Sequence, residues 1–377
     1  MTDHPGILFT ILAFLLVIGP LIFVHELGHY LVGRWCGVKA EVFSIGFGRE
    51  IAGYTDSRGT RWKLGWMPMG GYVKFAGDMN PASQPTPEWL ALPPEERAKT
   101  FQAKPVWQRF LIVLAGPVTN FLVAIGIFMA FFAAYGAPKT PAVLSAVMEG
   151  SPAAKAGLRP GDRVIAIAGR PIDTFDEMAD MIRFRPEERL QIDIRRGAAQ
   201  RSIVVVPAAN VERDRFGNEF RKGTIGVMSG QQVIEPVPFH RLPVEATRQT
   251  FGIVQTMVDT LGQIITGRRS VKELGGPIKI AQVSGQQASL GLLNFVMLMA
   301  LISINLGFIN LLPIPMLDGG HLVFYLFEGI ARRPVPERAM EWAFRSGLAV
   351  LLSFMIFVTL NDILSLGALK KLAGLIG

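Results

Sequence analysis

Four long stretches of this sequence carry almost no charged side chains, and they constrain the fold more than any other feature. They span residues 7–24, 110–135, 292–317 and 346–366, and the last contains a single charge, Asp362. A helix of roughly 20 apolar residues crosses a hydrocarbon core of about 30 Å. Half of the 377 residues are hydrophobic, which is too apolar for an ordinary soluble enzyme. We therefore predict a polytopic α-helical membrane protein with about four spans, surrounded by a lipid bilayer.

Positive charges near the ends of these stretches predict the orientation, because Lys and Arg are enriched in cytoplasmic flanks. The segment between the first two stretches carries them at both ends, and the link between the last two contains Arg332, Arg333 and Arg338. We expect these connections on the cytoplasmic side and residues 136–290 on the other side. Two lysines near the C-terminus argue mildly against this. The first stretch is expected to be retained, since no Lys or Arg precedes it as in a signal peptide.

The net charge of +8 does not indicate a nucleic-acid partner. The basic residues are scattered and lack a single basic face or interleaved aromatic side chains. We predict no nucleic-acid binding. The single cysteine, Cys36, excludes an internal disulfide and a zinc site built from cysteines.

Residues 141–208 predict a separate water-soluble α+β module, with a helix at Asp176–Arg183. The segment Ser151–Asp162 (SPAAKAGLRPGD), followed by a strand, resembles the PDZ family in its bacterial protease-associated form. This resemblance implies a groove that accepts a peptide by strand addition. A spacer that only restricts access to the membrane part is the alternative. Strand-like runs occur at Ala142–Val147, Arg163–Ile167, Leu190–Ile194 and Ser202–Val206.

Three other segments have patterns of their own. Residues 251–265 place apolar side chains at spacings of three and four, which predicts an amphipathic helix that packs on the module rather than lying on the membrane surface. Residues 44–77 combine glycines with aromatic and β-branched residues, which predicts β-hairpins. Such backbone beside membrane spans must be buried in protein or line a cavity. The proline-rich residues 79–105 predict a loop with a short helix near Pro94–Lys99.

The sequence His25-Glu-Leu-Gly-His29 closes the first uncharged stretch. Histidines four residues apart face the same side of a helix and can hold one zinc ion, while the glutamate beside them handles protons. Ionisable groups are costly in a membrane helix and normally mark function. The pattern predicts a zinc site, and the alternative is a helix end that emerges into water with an accidental spacing.

A catalytic zinc site usually has three protein ligands and an open position, so a further ligand must come from elsewhere. The segment Asn310–His321 (NLLPIPMLDGGH) places Asp318 in an uncharged region after two prolines that break a helix. His321 is the other candidate in this segment. Counted along straight helices, His29 and Asp318 both fall in the cytoplasmic half of the membrane, at depths that differ by more than a turn.

The pairing of His25-Glu-x-x-His29 with Asn310-x-x-Pro-x-Pro-x-x-Asp318-Gly resembles the site-2 protease family of intramembrane metalloproteases. The segment Ala115–Asn120 and the single PDZ module are similar to its bacterial regulator-of-sigma-E protease branch, although the best-known enterobacterial members carry two PDZ modules. The resemblance covers nearly the whole chain.

This resemblance implies a role for each motif residue. His25, His29 and Asp318 would bind Zn²⁺, and Glu26 would be the general base. Asn310 would hydrogen-bond the substrate backbone or the developing oxyanion, with helix capping as the alternative. The hairpins around residues 60–75 look like the family's membrane-associated β-loop, which would hold the substrate as an extended strand. A helix-facing residue is the expectation for His321, with an outer partner of the ligands as the alternative.

The resemblance also implies the setting and the substrates. We expect a bacterial inner (cytoplasmic) membrane, with the PDZ module in the periplasm and the active site toward the cytoplasm. The implied partners are single-span membrane proteins such as anti-sigma factors or remnant signal peptides, cut in regulated intramembrane proteolysis. A membrane zinc-binding or zinc-transport protein without protease activity is the alternative, and an inactive relative that serves as a scaffold is another.

The predicted organisation has four regions. Residues 1–135 contain the first span, the hairpin, a cytoplasmic loop and the second span, and residues 136–240 contain the PDZ module and an extension. Residues 241–290 form the amphipathic helix and a linker. Residues 291–377 hold the last two spans.

Overall fold

A computed structural model describes residues 5–77, 89, 91–213, 219–266 and 275–365 of this chain. Its contacts divide the chain into two compact units. One unit combines residues 1–129 with residues 246–377, and the other contains residues 130–245. We call them the membrane unit and the inserted unit.

Four helices are long and apolar enough to cross a membrane. They are α1 (Ile7–Trp35), α3 (Val106–Tyr135), α8 (Leu292–Asn310) and α10 (Glu337–Ser365). Among the described residues, the number of such helices equals the number of spans predicted from the sequence. Their length and composition are those of membrane-spanning helices. The third stretch is shorter than predicted, because its helix ends at Asn310.

The break after α8 follows from the residues Leu311–Leu317. Pro313 and Pro315 cannot donate backbone hydrogen bonds, so the helix cannot continue through them. Met316 has a positive φ of 83°, which turns the chain sharply. A new helix, α9 (Asp318–Ala331), then begins with Asp318 in its first turn. The break therefore places an acidic side chain at a helix N-terminus.

The two long strands β1 (Ala40–Thr55) and β2 (Arg61–Phe75) form an antiparallel sheet. Ser44 pairs with Lys63 on one side and with Tyr72 on the other, so β1 runs between the two halves of β2. Residues 71–75 therefore form an outer strand of this sheet. Aromatic rings hold the sheet on α1, because Tyr30 of α1 meets Phe43 and Trp62 edge to face, with ring centroids 5.8 and 5.2 Å away.

The segment predicted as an amphipathic helix and a linker is more helical than expected. Helix α6 extends over Leu242–Ile265, and a further helix, α7 (Pro277–Ser289), occupies part of the predicted linker. Helix α7 packs along α1. On the apolar face of α6, Phe251, Val258 and Ile265 are exposed, and the packing of this face on the module stays a prediction. Hydrophobic spacing identified this helix but could not show whether its face is covered.

A buried carboxylate supports α7 from another helix. Asp362 on α10 accepts hydrogen bonds from the backbone N–H groups of Gly276 and Lys279, each at 3.0 Å. These donors lie at the start of α7 and have no partner inside their own helix. The single charge in the fourth stretch therefore caps a neighbouring helix.

The inserted unit is built around a four-stranded antiparallel sheet in the order β6-β5-β7-β8. These strands are β5 (Arg163–Ile167), β6 (Arg170–Pro171), β7 (Leu190–Arg196) and β8 (Ala199–Val205). Leu190, Ile192 and Ile194 alternate into the core, as expected of a sheet with one solvated face. The remaining strands are β3 (Ala137–Lys139), β4 (Leu144–Val147), β9 (Ala208–Arg213), β10 (Glu219–Thr224), β11 (Val227–Ser229) and β12 (Val233–Glu235).

Three short helices complete the description. Helix α5 (Phe175–Arg183) begins with a capping box between Thr174 and Glu177 and buries Met178 and Ile182 in the core of the inserted unit. The others are α2 (Pro94–Arg97), near the short helix predicted in the loop, and α4 (Pro152–Lys155). The assignment of the inserted unit to the PDZ family stays a prediction, as do the boundaries of the four predicted regions.

The inserted unit contains one fully buried carboxylate, Asp162. Burial alone would raise the pKa of this group, but hydrogen bonds from Arg196 and from the Arg159 backbone outweigh burial and hold the pKa below its ordinary value of 3.8. Arg196 reaches both carboxylate oxygens, at 2.7 and 2.8 Å. This carboxylate is therefore fully satisfied by its own unit.

Candidate metal centre

Three ionisable side chains near the C-terminal end of α1 are buried or nearly buried. His25 and Glu26 are buried, and the side chain of His29 is 11% exposed. His25 and His29 lie one turn apart on the same face, and their ring nitrogens Nε2 are 3.2 Å from each other. The sequence motif therefore forms a compact pair of imidazoles.

Asp318 joins this pair from the start of α9. Its Oδ2 atom lies 3.2 Å from His25 Nε2 and 3.5 Å from His29 Nε2. The three residues form the group of possible metal ligands found among the described residues. Two chain segments almost three hundred residues apart in the sequence thus contribute to one cluster of side chains.

A hydrogen bond fixes the orientation and tautomer of His29. Its Nδ1 lies 2.8 Å from the backbone carbonyl oxygen of Ile112 on α3. A carbonyl can only accept, so Nδ1 carries the proton and Nε2 of the neutral ring presents a lone pair. That lone pair points at the other two candidate ligand atoms.

Asn120 on α3 orients the ring of His25, as the Ile112 carbonyl orients His29. Its side-chain amide lies 2.9 Å from Nδ1 of His25. The amide oxygen Oδ1 is buried and has no hydrogen-bond partner among the described residues. With the amide turned, Oδ1 accepts from Nδ1–H of His25, and Nε2 of His25 also presents a lone pair.

Ser303 on α8 holds Asn120 in place through the backbone. Its hydroxyl donates to the carbonyl oxygen of Asn120 at 2.8 Å, and both residues are fully buried. This bond ties α8 to α3 beside the two histidines.

The arrangement fits a zinc ion. Two nitrogen lone pairs and a carboxylate oxygen converge, and the described residues supply only the histidine nitrogens as neighbours of Asp318 Oδ2. Three acceptors this close repel one another unless a cation lies between them. Ligands held at about 2.0–2.2 Å by a tetrahedral zinc are roughly 3.3–3.5 Å apart, which matches the observed separations.

A glycine on α3 makes room for this cluster. A Cβ atom at Gly116 would lie 2.9 Å from Cε1 of His25 and closer still to Nε2 of His29. Any side chain at this position must displace the imidazoles. The backbone of α3 therefore lies directly against the candidate ligands.

The candidate ligands line a cavity of about 500 Å³ in the membrane unit. Glu26, Asn310 and His321 also line it, so each predicted site residue faces the same space. Glu26 lies close to the outer strand of the β1–β2 sheet, because a Cβ atom at Gly71 would be 2.9 Å from its Cγ. Residues 70–73 line this wall of the cavity.

Sequence reasoning missed the partners that orient the histidines. The segment Ala115–Asn120 was recognised only as a family resemblance, with no role for any residue. An asparagine inside an uncharged stretch, four residues after a glycine, is a signal that could have identified Gly116 and Asn120. The Ile112 carbonyl has no such signal, since every residue carries one.

Comparison with known proteins agrees with this chemistry. The model of the family described as "Peptidase family M50" matches residues 13–354. "Putative zinc metalloprotease Atu1380" of Agrobacterium fabrum is 43% identical over 362 residues, covering 94% of this chain and 96% of the relative. "Metalloprotease MmpA" of Caulobacter vibrioides is 34% identical over 395 residues, covering 98% and 99%.

These matches extend over nearly the whole length of this chain and of its relatives. They confirm the predicted enzyme class and the predicted Zn²⁺ cofactor. The chain belongs to peptidase family M50, the site-2 protease family, and is a zinc metalloprotease.

Proposed function

We propose that this enzyme is an endopeptidase that cuts membrane-spanning segments of single-span membrane proteins inside the bilayer. The location of the ligand cluster carries the proposal. His25, His29 and Asp318 meet on a cavity whose walls come from apolar helices long enough to span a membrane. Buried ionisable groups in such surroundings are costly and are retained for function.

The roles of the site residues follow from their positions. His25, His29 and Asp318 hold the zinc ion, which when bound polarises the scissile carbonyl and lowers the pKa of water. Glu26 accepts a proton from the attacking water and passes it to the nitrogen of the leaving amine. Burial of Glu26 beside the cavity keeps bulk water away from this transfer.

The substrate segment must be extended when it is cut, because a helix hides its peptide bonds in its own hydrogen bonds. Residues 71–75 offer an outer strand at the cavity wall. A substrate strand that pairs with it satisfies its backbone groups without water. The proposal therefore assigns substrate binding to this edge.

Asn310 is proposed to hold the substrate from the opposite wall. It is the last residue of α8 and lines the cavity. Its amide can donate to and accept from the substrate backbone. The helix-capping alternative has less support, since the described hydrogen bonds of the α8 C-terminus come from backbone N–H groups.

The proposed setting is a bacterial inner membrane, with the site toward the cytoplasm and the inserted unit, as a PDZ module, in the periplasm. The arginines beyond α9 support this orientation, because α9 begins at the site and ends just before Arg332 and Arg333. Anti-sigma factors and remnant signal peptides are the proposed substrates in regulated intramembrane proteolysis.

A matched pair of enzymes tests the function. The wild type and Glu26→Gln are purified, placed in liposomes with a single-span reporter, and assayed for cleavage and zinc content. We expect equal zinc in both proteins and a loss of cleavage in the variant of at least about 10³-fold. Cleavage by Glu26→Gln at the wild-type rate overturns the mechanism. Zinc flux into the liposomes without any cleavage by the wild type would instead support zinc transport.

A further inference from the structure

His321 is a polar group of the cavity to which no ligand or acid–base role has been assigned. It lies three residues after Asp318, so both side chains project from the same side of the first turns of α9. It lines the cavity together with the ligands and Glu26. The metal-ligand group among the described residues does not include it.

Aromatic packing fixes the imidazole ring. The ring centroid of His321 lies 5.0 Å from that of Phe344 on α10 and 6.4 Å from that of Tyr325 on α9. Aromatic contacts of this kind limit the motion of a ring. The imidazole of His321 therefore packs beside two aromatic rings at the cavity.

The nitrogens of His321 differ from those of the ligands. His25 and His29 each have a partner on α3 at Nδ1. Within the described part of the chain, no hydrogen bond to a side-chain nitrogen of His321 is present. A ring N–H of His321 at this cavity can therefore donate to a group that enters it.

We propose that His321 is a further catalytic residue, which donates a ring N–H hydrogen bond to the carbonyl oxygen of the scissile peptide. This inference rests on the proposed function. Attack by the water oxygen forms a C–O bond and moves the π electron pair of the C=O bond onto the carbonyl oxygen, while Glu26 takes a proton from the water. His321 forms and breaks no covalent bond. It stabilises the negative charge as it develops.

The positions of the two groups support this division of labour. Glu26 lies against Gly71 of the outer strand, whereas His321 lies against Phe344 of α10. The proton acceptor and the hydrogen-bond donor therefore come from different walls of one cavity. Under this proposal, a peptide bond bound in the cavity lies between the two groups.

The test compares variants that separate the donor from the packing. His321→Phe keeps a ring against Phe344 but removes the N–H, and His321→Gln restores an N–H on a side chain of similar reach. Phe324→Leu is the control, because Phe324 also packs on Phe344, at 5.9 Å, yet is not among the cavity-lining residues. The full-length enzymes are assayed in liposomes for kcat, KM and zinc content.

We expect His321→Phe to lose about 100-fold in kcat with KM and zinc unchanged, which is the cost of one oxyanion donor. His321→Gln is expected to recover at least a tenth of the wild-type kcat, and Phe324→Leu to remain near the wild type. A His321→Phe enzyme within threefold of wild-type kcat overturns the proposal, as does a loss that follows zinc loss. His321→Leu replaces the Phe variant if that variant does not fold, with the same expected result.

The assay also separates failure of this inference from failure of the proposed function. If Glu26→Gln is inactive and His321→Phe is fully active, only the role of His321 is wrong. If Glu26→Gln cuts as fast as the wild type, the proposed mechanism fails and the role of His321 fails with it.

Discussion

The two units of this enzyme bury a carboxylate in opposite ways. In the inserted unit, both oxygens of Asp162 accept hydrogen bonds from Arg196, and Oδ2 also accepts from the Arg159 backbone. In the membrane unit, the polar neighbours of Asp318 Oδ2 among the described residues are the Nε2 atoms of His25 and His29. The first carboxylate is complete within the protein and serves stability. The second carboxylate needs a bound cation to balance its charge. A binding site leaves such a group for its ligand, whereas a core satisfies it from within.

The largest expected effect follows from removing the carboxylate that lacks a protein partner. Asp318→Asn should lose zinc and cleavage activity, because the ligand charge is lost while the shape is kept. The loss of zinc affinity should exceed the roughly 10–100-fold that an outer partner contributes. Metal analysis of the purified enzyme measures this. Asp162→Asn is the matched change in the other unit and should retain one zinc per chain; equal zinc loss in the two variants would remove the contrast.

A smaller but still large effect is expected at Gly116. Alanine there places a Cβ atom against both imidazoles, so Gly116→Ala should displace them and weaken zinc binding by at least tenfold. Gly126→Ala is the control on the same helix, because a Cβ atom at Gly126 meets nothing within 4 Å. Competition with a chelator compares the affinities. Equal affinities in the two variants would show that α3 does not constrain the site.

Loss of an outer partner should have an intermediate effect. Asn120→Leu removes the amide that orients His25 and leaves the ligand itself intact, so zinc affinity should fall about 10–100-fold. The control is Asn294→Leu, at an exposed position on α8 whose amide donates to the Leu290 carbonyl. Wild-type zinc affinity in Asn120→Leu would mean that packing alone orients His25.

The smallest effect concerns the inserted unit and its pH dependence. Because the pKa of Asp162 is lowered on folding, its contribution to stability is present above pH 3.8 and is lost as the pH falls below that value. Asp162→Asn should reduce the free energy of unfolding by about 2 kcal/mol at neutral pH. Thermal denaturation of the full chain at pH 7 and pH 3.5 measures both. An unchanged unfolding temperature in the variant at pH 7 would contradict the role given to Arg196.

The sequence predicted the local elements of both units and the residues of the motif. Uncharged length predicted the spans, and alternation predicted β5 and β7, because these patterns are set by the surroundings of each segment. The predicted depths of His29 and Asp318 disagreed by more than a turn, since the count assumed straight helices. The structure nevertheless brings the two residues together, with 3.5 Å between His29 Nε2 and Asp318 Oδ2.

Other features depend on contacts between segments far apart in the sequence. The Ile112 carbonyl that orients His29, and the capping of α7 by Asp362, arise only when the helices are packed. Whether an apolar helix face is covered also depends on such contacts, so the spacing in α6 predicts the helix and not what packs on it. The residue pattern of one segment does not show which distant segment will hydrogen-bond to it or pack against it.

The position of the cut is the most direct test of the central claim, that this zinc site acts within the membrane. A single-span reporter is incubated with the wild type and with Glu26→Gln in liposomes, and the products are identified by mass spectrometry. We predict a cut within the hydrophobic segment of the reporter that is absent with Glu26→Gln. A cut confined to the water-exposed flanks, or one that persists in the variant, would contradict the account.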